Sequence, residues 1–153
     1  MERLTRWAPL ALGILRIVAA LLFIEHGTQK LFGFPAGENP PVGFQMTLIG
    51  LAGILEAFGG LLLLLGLFTR PVAFVLSGQM AVAYWMAHAP QNPFPVNNGG
   101  DSAILYCFIF LYLVFAGPGA LALDDRIGRR RSKRPKRHPR ACPEDPEPTS
   151  RRG

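Results

Sequence analysis

The chain has 153 residues, half of them apolar, and a formal net charge of +6. Residues 1–123 hold five basic and five acidic side chains, whereas residues 124–153 hold eleven basic and five acidic ones. A basic tail on a neutral, apolar body is not the charge pattern of a nucleic-acid-binding domain, so no nucleic-acid partner is expected. Cys107 and Cys142 form no C-x-x-C motif, which argues against a dithiol reaction by this chain alone.

Four long apolar runs follow one another along the chain, at about 8–25, 46–68, 72–88 and 103–123. A bilayer core about 30 Å thick is crossed by roughly 20 helical residues, and each run fits the range of about 17–25. The sequence therefore predicts an all-α integral membrane protein. Residues 1–125 should form a four-transmembrane-helix bundle, with helices at about 8–30, 46–68, 72–89 and 102–122. Arg16 interrupts the first run and no good cleavage site follows, which argues against a cleaved signal peptide.

The basic residues predict the orientation of this bundle. Arg3, Arg6 and Arg70 fall on the same side as the chain's tail, and only Lys30 falls near the loops of the other side. The positive-inside rule therefore places both termini in the cytoplasm. Residues 126–153 are basic, Pro-rich and poor in apolar side chains, so they should form a disordered polybasic tail. Contact of this tail with anionic lipid is the simplest interpretation, and a specific protein or nucleic-acid partner is the alternative.

The second run carries small residues on one face, at Gly53, Ala57 and Gly60, which lets another helix approach closely. Glu56 lies on the same side and should therefore point into the bundle. From the helical rise of about 1.5 Å per residue, Arg16 and Glu56 lie at similar depths. The sequence thus predicts a buried ion pair between them, serving either to fix helix packing or to take part in function, since intramembrane charges pair by default.

A second polar group is predicted at the non-cytoplasmic end of the bundle. The candidates for proton exchange are Glu25, His26 and His88, because carboxylates and imidazoles can relay protons at an interface. The candidates for ligand binding are Gln29, Lys30, Tyr84, Trp85, Asn98 and Asp101. Together these residues suit the head of a quinone-like ligand, or they form an ordinary hydrated membrane boundary. Two histidines and two acids without tight spacing do not indicate a metal site.

Several of these segments resemble the DoxX family of small membrane proteins. The first is Arg16 followed by FIEHG at 23–27 and QKLFG at 29–33; the second is Glu56 with Gly59 and Gly60, followed by LGLFTR at 65–70. NGGD at 98–101 and GPGALALD at 117–124 are similar to two further family segments, with Ala122 where the family usually has Ser. The resemblance covers about residues 10–125, in the right order.

This resemblance implies a four-helix protein of the bacterial plasma (inner) membrane. Some DoxX relatives are subunits of a thiosulfate:quinone oxidoreductase, and others belong to membrane complexes that handle thiols and oxidative stress. The first functional hypothesis is therefore a membrane subunit of a redox system with a partner oxidoreductase and a quinone as the candidate cofactor. The second is a non-enzymatic scaffold or transport-like bundle. The sequence carries no redox motif of its own, which leaves open whether the chain is an enzyme.

Overall fold

The computed structural model describes residues 2–37 and 40–124, so the predicted tail at 126–153 lies outside the described residues. This part of the chain is helical and contains no strand. We label four helices: α1 (Ala8–Phe32), α2 (Leu48–Leu65), α3 (Thr69–Ala83, continued by a π-helical turn at Tyr84–His88) and α4 (Asp101–Ala116). Short helices at Glu2–Thr5 and Pro95–Asn98 precede α1 and α4.

Two of these helices, α1 and α2, are long and apolar enough to cross a membrane, and α4 is a shorter apolar helix. Their outward faces carry large exposed apolar side chains, such as Leu21, Leu22 and Phe58. In water such faces would be costly, whereas lipid solvates them. The described residues therefore form an all-α membrane protein.

The helices alternate in direction, so the bundle has two ends. We call the end that holds the start of α1 and the finish of α4 the terminal end, and the opposite one the distal end. Helix α1 packs mainly on α2, α3 packs mainly on α4, and α1 and α4 meet at few points. The core between them contains Phe23, Leu63 and Phe110, each at most 1% exposed.

The predicted small-residue face of α2 is confirmed, and its partner is α1. At Gly27 an added side chain would clash with the α2 backbone at Ala57 and Gly53. At Gly60 an added side chain would press on Ile24 and on the Ala20 carbonyl. Glycines on both helices thus bring the two backbones together, which is how helices associate where lipid leaves no hydrophobic driving force.

The fourth helix is shorter than predicted, because it ends at Ala116 and not near residue 122. Gly117 and Gly119 both have positive φ and flank Pro118, so the chain folds back here across the terminal end. Asp124 then accepts hydrogen bonds from the Phe68 and Thr69 amides, both at 2.9 Å, at the start of α3. The apolar run at 103–123 is therefore one helix followed by a packed segment that folds back, residues 117–124, which we call the return segment.

Candidate functional site

Arg16 lies at the terminal end, fully buried, and its guanidinium donates to backbone carbonyl oxygens. It bonds to Leu63 and Leu64 in the last turn of α2, the latter at 2.8 Å. It also reaches Pro118 at 2.8 Å and Leu121 at 3.1 Å in the return segment. The free carbonyls of a helix C-terminus favour a cation, so Arg16 ties α1, α2 and the return segment together.

Glu56 is also buried, 1% exposed, but its partner is Lys30. Lys30 Nζ lies 2.5 and 2.6 Å from the two carboxylate oxygens, a bidentate contact between α1 and α2. Gln79 of α3 donates through Nε2 to Glu56 Oε1 at 3.1 Å and to the Ala52 carbonyl at 3.3 Å. Three helices therefore converge on one carboxylate in the distal half of the bundle.

The predicted pairing of Arg16 with Glu56 is accordingly wrong. The α2 residue that Arg16 contacts, Leu63, is seven residues beyond Glu56, or about 10 Å along the helix axis. Lys30 instead lies beside Gly53, one helical turn from Glu56, and its flexible stem reaches the carboxylate from there. The shift of α1 along α2 decides which basic residue reaches Glu56. Depths estimated from the ends of the apolar runs did not include this shift.

The predicted distal residues do not form one cluster. Glu25 and His26 are consecutive exposed residues of α1. The His26 ring meets the Tyr106 ring of α4 nearly edge-on, with centroids 6.1 Å apart. Phe23 and Phe110 pack behind Tyr106, with ring centroids 5.3 and 5.7 Å from it. Among the described residues, the side chains of Glu25, His26 and Tyr106 have no hydrogen-bond partner.

His88, Tyr84 and Asn98 form a separate group that shapes the distal loop. His88 Nδ1 lies 2.9 Å from the Asn98 carbonyl oxygen, and since a carbonyl only accepts, Nδ1 carries the hydrogen. The Tyr84 ring stacks near that of His88, with centroids 6.5 Å apart. The buried Asn98 side chain bonds to the Asn92 carbonyl and the Gly100 amide. Most of these polar atoms are therefore engaged in holding the loop.

The remaining predicted residues lie at the edges of the distal end. Gln29 donates to the Pro35 carbonyl at 3.3 Å, within the loop that follows α1. Trp85 is 71% exposed and meets Tyr84 edge-on, a position that suits the bilayer interface. Asp101 is exposed in the first turn of α4, where a carboxylate complements the helix dipole.

Two side chains of the site were not anticipated from the sequence. Gln79 is a polar residue in the apolar third run, and that isolation is the signal that could have indicated it. Tyr106 lies in the fourth run as one of five aromatic residues between 106 and 115, so nothing in the sequence distinguishes it.

Glu56 lies in a π-helical turn, Leu55–Gly59. Such turns within α-helices are frequent at functional sites.

Comparison with known proteins adds the family to this geometry. The sequence model of the DoxX family matches residues 11–89. An uncharacterized protein of Haemophilus influenzae is 47% identical over 83% of this chain and 98% of its own length. The inner membrane protein YphA of Escherichia coli is 33% identical over 77% of this chain and 91% of its own.

An uncharacterized membrane protein of Mycobacterium tuberculosis is 30% identical over 76% of this chain and 80% of its own length. No solved structure matches the chain significantly. The names of the Escherichia coli and Mycobacterium tuberculosis relatives give a membrane location, and none of the three names carries an activity.

Proposed function

Because the chain belongs to the DoxX family of membrane proteins, we propose that it is a quinone-binding integral subunit of a membrane redox system. The supporting observation is the pair Glu25 and His26. Both are exposed on α1 among lipid-facing leucines, about 10 Å before its last residue, and neither side chain has a hydrogen-bond partner among the described residues. Ionisable groups within a membrane span are costly and indicate a functional site.

The residues of this site fit a quinone. A quinone joins a flat apolar ring to two carbonyl oxygens, which accept hydrogen bonds from an imidazole N–H or a phenol O–H. His26 and Tyr106 offer those donors, and the buried Phe23 and Phe110 hold the Tyr106 ring in place from behind. When bound, a quinone takes up two electrons and two protons to form the quinol. A partner oxidoreductase acting on thiosulfate or a thiol would supply the electrons.

The chain's own contribution is to bind the ring and to exchange protons. His26 would donate a proton to a quinone oxygen, and Glu25, the residue before it, would return one to the imidazole. Lys30, one helical turn farther along α1, forms an ion pair with the buried Glu56 of α2. Gln79 of α3 donates to the same Glu56 carboxylate, so the three helices are fixed relative to one another and His26 is held in place.

A non-enzymatic scaffold is the second candidate, and one observation favours it. At the terminal end, Arg16 and Asp124 use their polar atoms for backbone hydrogen bonds, as Asn98 does at the distal end. Polar groups used this way fix packing without chemistry. The scaffold hypothesis extends this reading to Glu25 and His26, and the absence of bound quinone would support it.

We also propose four membrane spans with both termini in the cytoplasm, which makes the distal end the outer mouth. The supporting observations are the alternating directions of α1 to α4 and the position of Arg70 at the terminal end. The 20 residues from Thr69 to His88 are helical without interruption, enough to cross the bilayer core. The basic tail would then lie against anionic lipid of the inner leaflet.

The test of the proposed function is quinone retention. The protein is purified in mild detergent, and bound quinone is extracted and quantified per mole of protein. We expect a near-stoichiometric amount in the wild type and a loss of most of it in Glu25→Gln and His26→Phe. Asp101→Asn, an exposed acid at the same end, is the matched control and should retain quinone. Wild-type protein free of quinone, and unable to bind added quinone, would refute the proposal.

A further inference from the structure

We infer that the quinone ring binds in the seam between α1 and α4, reaching it sideways from the bilayer, with the Tyr106 hydroxyl and the His26 imidazole holding its oxygens. This inference rests on the proposed function and adds the position, the route of access and Tyr106. Helices α1 and α4 meet at few points, so the seam between them is lined by side chains.

The seam opens to lipid. Leu21 and Leu22, one turn before Glu25 and His26, are 47% and 46% exposed on an apolar helix. Residues at i and i+4 lie above one another on a helix, so Leu22 lies directly below His26 on the same face. A ligand dissolved in the bilayer therefore meets the seam along this leucine face before it reaches the polar pair.

Tyr106 gives the seam an aromatic side, and two buried rings behind it hold it in place. Phe23 and Phe110 are at most 1% exposed, and their rings meet edge-on with centroids 4.9 Å apart. The partly exposed Tyr106 ring stacks on Phe110 at an interplanar angle of 24°. The exposed part of the Tyr106 ring is therefore held rigidly, and another flat ring packs favourably on such a surface.

The chemistry of the seam selects a ring with polar edges over other occupants. Two donors, the His26 imidazole and the Tyr106 phenol, and the Glu25 carboxylate lie on one side of the bundle, and none of them has a hydrogen-bond partner among the described residues. A partner's transmembrane helix has its backbone groups already bonded and presents mostly apolar side chains, so it would leave these groups unsatisfied. A lipid headgroup lies at the interface, above this depth. A quinone places apolar area and hydrogen-bonding oxygens at the required level.

The test compares two tyrosine variants of the full chain in lipid nanodiscs. Decylubiquinone is titrated and its dissociation constant is measured by isothermal calorimetry. Tyr106→Phe removes one hydroxyl and keeps the ring packing, so it should weaken binding about two- to tenfold, the value of one hydrogen bond. Tyr112→Phe makes the same change at a tyrosine that is 58% exposed elsewhere on α4, and should bind like wild type.

A second pair of variants tests access from the bilayer. Leu22→Trp places bulk below His26 and should weaken binding at least as much as Tyr106→Phe. Leu15→Trp places the same bulk two turns lower on the same face and should leave the dissociation constant unchanged. Both substitutions lie on an exposed face, so neither disturbs the core.

The outcomes separate this inference from the proposed function. Wild-type affinity in both Tyr106→Phe and Leu22→Trp would show that quinone binds elsewhere. This result would overturn the inferred binding position and leave the proposed quinone-binding function unaffected. An equal loss of affinity in Tyr112→Phe would mean that decylubiquinone partitions non-specifically, and it would also overturn the inferred binding position. A wild-type protein that does not bind decylubiquinone overturns both.

Discussion

Replacing Lys30 should lower the free energy of unfolding more than replacing Glu56. In Lys30→Met, a carboxylate that is 1% exposed keeps only the Gln79 amide as a hydrogen-bond partner among the described residues. Removing one partner from a buried ion pair costs about 3–5 kcal/mol of unfolding free energy. In Glu56→Gln the orphaned lysine, 34% exposed in its side chain, can extend towards water, so the cost should be about 1–2 kcal/mol.

The double variant Lys30→Met with Glu56→Leu leaves no orphaned charge. Its stability should recover to within about 1 kcal/mol of wild type, because replacing a buried pair by apolar residues is often neutral. The free energies are measured by reversible unfolding in mixed micelles of increasing SDS fraction, with helicity as the signal. Arg16→Met with Glu56→Leu serves as the comparison and should be additive within about 0.5 kcal/mol, since the two sites are about two helical turns apart.

Two results would refute this reasoning. Additive losses for Lys30 and Glu56 would mean that the pair does not form. Strong coupling between Arg16 and Glu56 would restore the pairing that the sequence alone suggested.

The glycines and the topology give two further predictions. Gly27→Ala should destabilise the bundle by about 2 kcal/mol or more in the same SDS assay, because the added methyl meets the α2 backbone. Gly78→Ala, which meets nothing within 4 Å, should be neutral or slightly stabilising, and an equal loss in both would contradict close α1–α2 packing. A reporter active only in the cytoplasm should work when fused after Leu123 and fail when placed at Gly37. The reverse result would overturn the proposed orientation.

The sequence was a good guide to features set by composition and local spacing. Apolar runs long enough for a bilayer predicted helices, and two of these, α1 and α2, are long and apolar enough to cross a membrane. The spacing of Gly53, Ala57 and Gly60 predicted a face of close approach, since residues three and four apart share one side of a helix. Glu56 on that side was correctly expected to be buried.

The sequence was a poor guide wherever hydropathy continued across a change in backbone direction. The run at 103–123 remains apolar through Gly117 and Pro118, yet the helix ends at Ala116 and the rest packs over the terminal end. Hydropathy reports burial or lipid contact and does not distinguish a helix from a packed return segment. Arg16 binds the return segment, so the role of Arg16 could not be predicted from the sequence alone.

What the sequence by itself determined was the all-α membrane class of the protein and the inward face of α2, because both follow from composition and helical periodicity. The tertiary structure alone decided that Glu56 binds Lys30 and Gln79 while Arg16 binds carbonyls of α2 and the return segment. It also brought His26 of α1 to Tyr106 of α4. The physical reason is that periodicity fixes rotation about a helix axis, whereas partners depend on how far neighbouring helices slide along one another.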